Sequence, residues 1–199
     1  MHPNALKHAR FALSEMESAL SVLKSAGDFS KIEQAWTQFL SSFGRLYSKL
    51  ELGAKSNARS AEWYRAVRAT RKSDPLLQYL HQARNSHEHG LEDVTTQHAK
   101  QLKQPMRLPN GKTFELTIQI TTPEVEFKPS TPDINSKYEG PQIVSAAVAL
   151  VPVKNYNVIF SPPSTHLGAP FGAVGVVSTA EAGLAYAKSL ITEAENLPS

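Results

Sequence analysis

Apolar residues recur in steps of three and four through roughly the first 90 positions, and in steps of two after them. Leu6, Ala9, Leu13, Met16, Leu20 and Leu23 keep the helical step. They predict a helix over 4–25 with its seam packed lengthwise on another helix. Ile32, Trp36, Phe39, Phe43, Leu46 and Leu50 repeat the step and predict a second helix over 29–53, capped by Asp28 or Ser30. Gly27 and Gly53 are expected to close these two helices. A third helix is expected over 58–72, with Trp63, Tyr64 and Val67 on its packed side. The fourth carries its own punctuation: Asp74 as N-cap, Pro75 at the first helical position and Gly90 as the left-handed stop. Leu76, Leu80, Ala83 and His87 form its expected buried stripe. Four helices, each apolar along one side and joined by short loops, favour an antiparallel bundle.

After Leu91 the period changes. Phe114, Leu116, Ile118 and Ile120 alternate with Glu115, Thr117, Gln119 and Thr121, the pattern of a half-buried strand. Asn110-Gly111 is a two-residue hairpin signal, so a partner strand is expected within 99–108, with Pro105 marking it as an edge or bulged strand. Further strands are expected at 125–127, 143–153 and 156–160. The stretches 128–141, 161–164 and 168–175 read as loops, and a last helix is expected near 179–196. That helix carries Val177, Leu184 and Ile191 on one side, with Ala180, Ala187 and Ala194 beside them. The fold class is therefore α+β. A helical bundle over 1–92 is followed by a small antiparallel β-sheet unit over 93–199, covered by the C-terminal helix.

Composition narrows the classes. The chain has 199 residues, 41% of them hydrophobic and 20% charged, which is ordinary for a folded globular protein. It has no cysteine, which excludes disulfides, a thiolate nucleophile and a cysteine-type zinc site. The first residues open into an amphipathic helix without an apolar leader core, and the longest apolar run is too short to span a membrane. A cytoplasmic location without a membrane partner is expected. The net charge is only +3. Its distribution says more: Lys55, Arg59, Arg65, Arg68, Arg71 and Lys72 face the single acid Glu62 across 55–72. Arg59, Arg65, Arg68, Arg71 and Lys72 are candidates for an electrostatic track along an RNA backbone, with Trp63 and Tyr64 able to stack on bases. The plainer reading makes the cations a solvated helix face and the aromatics core.

The end of the fourth helix concentrates chemistry: Arg84-Asn85-Ser86-His87-Glu88-His89. The spacing Arg-Asn-x-x-x-His, on the last helix of a bundle, resembles the HEPN superfamily of small four- or five-helix bundles. These occur in toxin–antitoxin, phage-defence and RNA-processing systems. The resemblance covers roughly the first 90 residues, and nothing comparable attaches to the β unit. It implies a metal-independent, cofactor-free endoribonuclease that works as a homodimer. It further implies cutting of single-stranded RNA to a 2′,3′-cyclic phosphate, with Arg84, His89 and Asn85 as catalytic residues. Elementary chemistry agrees: the reaction needs a group to move the 2′-hydroxyl proton and a cation for charge gathering on the phosphate. An imidazole titrates near neutral pH, and a guanidinium fork pairs with phosphate oxygens and stays charged. Five residues along an ideal helix separate two side chains by roughly 140°, so a cleft shared by two facing copies suits the pair better than one copy alone.

Plainer readings stand beside this one. Arg84 and His89 could be a solvated helix end, with His89 answering free carbonyls and the helix dipole. His87 is expected to be packed or at an interface, and Glu88 to pair with Arg84 four residues earlier. His81, His87, His89 and His98 do not share the one-face spacing a zinc site wants, so no metal is expected. No Gly-rich phosphate loop is legible. The alternative function is a catalytically inactive HEPN-like binding module for RNA, a nucleotide or a protein partner. An antitoxin or other regulatory protein is a candidate partner in either case, and the β unit would bind substrate or partner or help the chain dimerise.

Overall fold

A computed structural model describes residues 1–89, 94–98, 100–107, 113–120, 142–144, 147–155, 157–170, 172 and 174–197. The first four helices follow the hydrophobic period closely: α1 (Pro3–Ser25), α2 (Phe29–Ala54), α3 (Ala58–Ser73) and α4 (Pro75–His89). Each start has a local cause. Asp28 caps α2 by accepting from the Ser30 amide, and Asn57 caps α3 by accepting from the Ser60 amide. Asp74 caps α4 through the Leu77 amide at 2.9 Å, with Pro75 as the first helical residue. α1 stops at Ser25, before Gly27. Gly53 does not end α2, which runs on to Ala54. A Cβ at Gly53 would strike the Ala5 side chain, so this glycine serves the close crossing of α1 and not a helix stop.

α2 is the central element and packs against α1, α3, α4 and α5 (Val176–Glu195). Its Trp36, Phe39, Phe43, Leu46 and Leu50 are buried, and the first three rings form a stacked row. Each such side chain contributes roughly 1.5–3 kcal/mol of burial free energy. α1 answers with Ala5, Ala9, Ala12, Met16, Ala19, Leu20 and Leu23, whose alanines bring the two backbones close. In α4 the expected Leu76, Leu80 and Ala83 are buried, together with Leu77, Tyr79 and Ser86. His87 is not part of that stripe. It is exposed, and Ser86 takes the buried position in the last turn.

Contacts divide the chain into two compact units, Met1–Thr96 with Ala149–Ser199, and Gln97–Val148. Residues 97–148 thus form one unit, and 149–199 fall with the helices of the other. The C-terminal helix belongs to the first unit, where it packs on α1, α2 and α4 and buries Ala180, Gly183, Leu184, Ala187, Leu190, Ile191 and Ala194 among the helices.

The described strands are short. β1 (Thr95–His98) pairs with β5 (Ala147–Leu150). β2 (Lys100–Arg107), β3 (Thr113–Ile120) and β4 (Gln142–Val144) form an antiparallel sheet of order β3-β2-β4 within Gln97–Val148. The β2–β3 ladder runs without interruption from Lys100↔Ile120 to Arg107↔Thr113. β2 is thus the middle strand and carries no bulge against β3, not the edge or bulged strand expected from Pro105; β4 covers it only over Gln101–Lys103, which leaves Pro105 beyond the β4 pairing. The hairpin signal Asn110-Gly111, the expected strand at 125–127, the loop at 128–141 and the stop at Gly90 lie outside the described residues. Two small antiparallel hairpins belong to the first unit: β6 (Val153–Asn155) with β7 (Val158–Phe160), and β8 (Thr165–His166) with β9 (Ala169–Pro170). β7 lies within the strand expected at 156–160 and β6 starts where the one expected at 143–153 ends, whereas β9 stands in the loop expected at 168–175. No helix among the described residues is long and apolar enough to cross a membrane.

Candidate functional site

The described part of the motif forms a short polar row along α4. The Arg84 guanidinium donates from Nη1 to Asn85 Oδ1 at 3.3 Å, and Asn85 Nδ2 lies 3.4 Å from His81 Nε2. With its oxygen engaged by Arg84, the Asn85 amide presents its NH₂ group to His81, so Nε2 accepts and the imidazole proton sits on Nδ1. His81 is half-buried, and its pKa is lowered to about 4. Burial is the main cause, followed by the Arg71 and Arg84 charges, so the ring is neutral at physiological pH.

Arg84 follows Leu77 by seven residues, roughly two helical turns, and therefore sits on the packed side of α4. It is half-buried, and its stem runs against Gly44 of α2, where a Cβ would come within 3.1 Å of Arg84 Nε. Gly44 thus leaves the room the guanidinium occupies. The backbone of His89 closes α4, two turns after Gln82. The side chains of Glu88, His89 and His98 lie outside what the structure describes.

The basic run on α3 does not form one track. Arg65, Arg68 and Lys72 are exposed on one face, and Arg59 is exposed on another. Arg71 falls on the packed stripe of Ser60, Tyr64 and Val67, and its guanidinium stacks over the buried Tyr47 ring, 4.7 Å from the centroid. Neither aromatic neighbour is a free stacking platform. Tyr64 is buried and donates its hydroxyl to the Tyr47 carbonyl at 3.2 Å, and the Trp63 indole donates to Glu193 at 3.0 Å.

Arg71 and His81 meet at a cleft of about 350 Å³ lined by Arg71, Lys72, Gln78, His81, Gln82 and Phe160. The β6–β7 hairpin, which packs on α4, brings Phe160 and Asn155 to it. Asn155 Nδ2 donates to Gln82 Oε1 at 2.7 Å, while the Gln78 amide donates to the Lys72 carbonyl. His81, Gln82 and Phe160 gain weight here that the sequence reading did not give them. The signal for the α4 members is their spacing: Gln78, His81, Gln82 and Asn85 share one side of the helix. A larger groove of about 630 Å³ lies along α1 and α2, lined by Phe11, Glu15, Val22, Lys31 and Gln38 among others, with no residue from α3 or α4. Its one carboxylate, Glu15, is paired with Arg45 at 2.8 Å. No cluster of three or more His, Asp or Glu that could hold a metal ion occurs among the described residues. Comparisons with family models, curated proteins and solved structures find no match to this chain.

Proposed function

We propose that the protein is a HEPN-type endoribonuclease that acts on single-stranded RNA as a homodimer in the cytoplasm. The observation that carries this reading is the row Arg84–Asn85–His81 beside the Arg71–Lys72 cleft. Cations and a neutral imidazole stand there together at the motif helix. His89 moves the proton, and its backbone position falls on the same side of α4 as Gln82 and Asn85. Arg84 acts by holding Asn85 and by its charge; Arg71, whose guanidinium is pre-set by Tyr47, meets the phosphate. Arg65, Arg68 and Lys72 lead the backbone in, with Arg59 more peripheral. A second copy facing this helix completes the site, and an antitoxin or other regulator would cover it.

A second reading has its own support. Arg84 is half-buried against Gly44 and bonded to its neighbour, which is how a structural arginine behaves. The helix end would then belong to a catalytically silent module that binds RNA, a nucleotide or a protein partner. Incubating wild type, Arg84→Ala and His89→Ala with single-stranded RNA and a chelator separates the two. The nuclease requires cyclic-phosphate products from wild type that both variants fail to make. RNA retention without cleavage, undiminished in His89→Ala, establishes the silent module. A wild-type monomer that stays monomeric on RNA overturns the dimeric site.

A further inference from the structure

We infer that the open side of α1, along its groove with α2, is an interface for a second copy of this chain, docked antiparallel across a twofold axis. It is separate from the facing of two α4 helices, because no residue of α4 lines the groove.

Two sides of α1 are already committed. Its alanine side packs on α2. A second side carries Arg10, Glu17 and Lys24, which pair with Glu195, Lys188 and Glu181 of α5 at 2.8, 2.7 and 2.6 Å. The third side holds Phe11, Ser14, Glu15, Ser18 and Val22 along the groove of about 630 Å³. Phe11 is 61% exposed and Val22 42%, and Leu52 is the only other large apolar side chain so exposed on a described helix. This side thus keeps apolar surface in water while the other two are covered.

The order of residues says what fits there. Phe11, Glu15, Ser18 and Val22 follow steps of four, three and four, the seam along which one helix packs lengthwise on another. The seam is also palindromic in character. Phe11 and Val22, Ser14 and Ala19, and Glu15 and Ser18 stand at equal distances from a point between Met16 and Glu17. An antiparallel second copy centred on that point sets each member of a pair against the other. Each Phe11 ring then meets a Val22, and small residues fill the middle, where the two backbones come closest. An unrelated helix would need no such matched order.

Charge agrees with this register. Glu15 is neutralised by Arg45 within its own copy, so the serine opposite it meets no unpaired charge. Lys31, third in α2, lies at the Val22 end of the groove and has no acidic partner among the described residues. Docking brings the second copy's Phe11 to that end, where its ring can take the ammonium on its face. The stripe is only roughly 17 Å long, so the association belongs to the weak, concentration-dependent class in the micromolar range.

The test is sedimentation equilibrium of the full chain across the micromolar range, without RNA. Phe11→Glu is expected to weaken self-association by at least roughly tenfold, because the symmetry removes two buried rings at once. Leu52→Glu, at an equally exposed position away from the groove, should leave it unchanged. Pairing of two α4 helices is open to wild type and both variants alike, so the loss in Phe11→Glu reads this interface alone. The chain has no cysteine, so Ser18→Cys introduces a single thiol close to the axis. Mild oxidation should link it into a covalent dimer, whereas exposed Ser56→Cys, between α2 and α3, should stay unlinked. Circular dichroism establishes that each variant folds. Equal masses for wild type and Phe11→Glu at every concentration overturn the interface, and so does Ser18→Cys that links no faster than Ser56→Cys. RNA cleavage bears only on the nuclease reading, so the two fail separately.

Discussion

Asp74 Oδ1 and His166 Nδ1 lie 3.0 Å apart across 92 residues of sequence. The Asp74 side chain is only 4% exposed, and its carboxylate is used three times. It accepts from the Leu77 amide, as the cap of α4, from His166, and from the Leu167 amide at 2.6 Å. Leu167 reaches it from a left-handed backbone, φ 49°, in the tight β8–β9 turn completed by Gly168 at φ 80°. Such a conformation is unfavourable for leucine, and the bond to Asp74 holds it in place. His166 rests edge-on against Tyr186 of α5, so one carboxylate ties the start of α4 to the turn before α5.

Asp74→Ala removes the cap and leaves the Leu167 amide without its acceptor. We expect a loss of about 2–4 kcal/mol in unfolding free energy, measured by urea denaturation, from the cap and the buried donor together. His166→Ala should cost about 1 kcal/mol. In the double variant the two losses should fall short of their sum by about 1 kcal/mol. Strict additivity would mean that the Asp74–His166 contact is energetically inert.

Gly183 of α5 is a second packing test. A Cβ there would meet Leu80 Cδ1 at 2.8 Å and Phe39 Cζ at 3.4 Å, and both neighbours are fully buried. Alanine gains about 1 kcal/mol of helix propensity, but overpacking costs typically 1–3 kcal/mol where nothing can move aside. Gly183→Ala is therefore expected to lower stability by about 1 kcal/mol, and Gly183→Val by more. A stabilised alanine variant would show that α5 does not seat this closely on α2 and α4.

How much of this could be read from the chain depends on how local its cause is. The row Trp36, Phe39, Phe43, Leu46 and Leu50 buries as its spacing requires, because a helical period needs no partner to be visible. Asp74 and Pro75 likewise declare a helix start in two residues. The packed positions of Arg71 and Arg84 were also within reach, since each follows a buried residue, Tyr64 or Leu77, by two turns. Charge alone makes Arg71 part of a surface track and Arg84 a phosphate-pairing group. What α5 covers was not legible. Its apolar stripe says that something is buried there, not that the partner is a helix from the start of the chain. The Asp74–His166 contact and the Asn155–Gln82 bond join distant segments and leave no periodic trace. His81 illustrates the same limit at the candidate site, because its low proton affinity comes from burial and from the Arg71 and Arg84 charges, and only one of those cations is its neighbour on α4.

That low affinity has a measurable consequence for stability. In the folded chain His81 takes up a proton only near pH 4, whereas in the unfolded chain it does so near the ordinary histidine value of 6.5. Between those values the unfolded state binds more protons than the folded one, so stability rises with pH across the window. The contribution is complete above about pH 6.5 and is lost as pH falls from 6.5 toward 4. His81 is only partly buried, so solvent screening holds the effect to no more than about 2 kcal/mol. His81→Gln, which keeps a polar side chain and cannot titrate, should flatten this part of the pH–stability curve while other groups continue to titrate. Proton NMR of the His81 ring should place its midpoint near 4, well below the ordinary histidine value of 6.5. A midpoint near 6.5, or a curve that His81→Gln leaves unchanged, would mean that neither burial nor the Arg71 and Arg84 charges lower the proton affinity of this ring, and the polar row on α4 would lose its electrostatic basis.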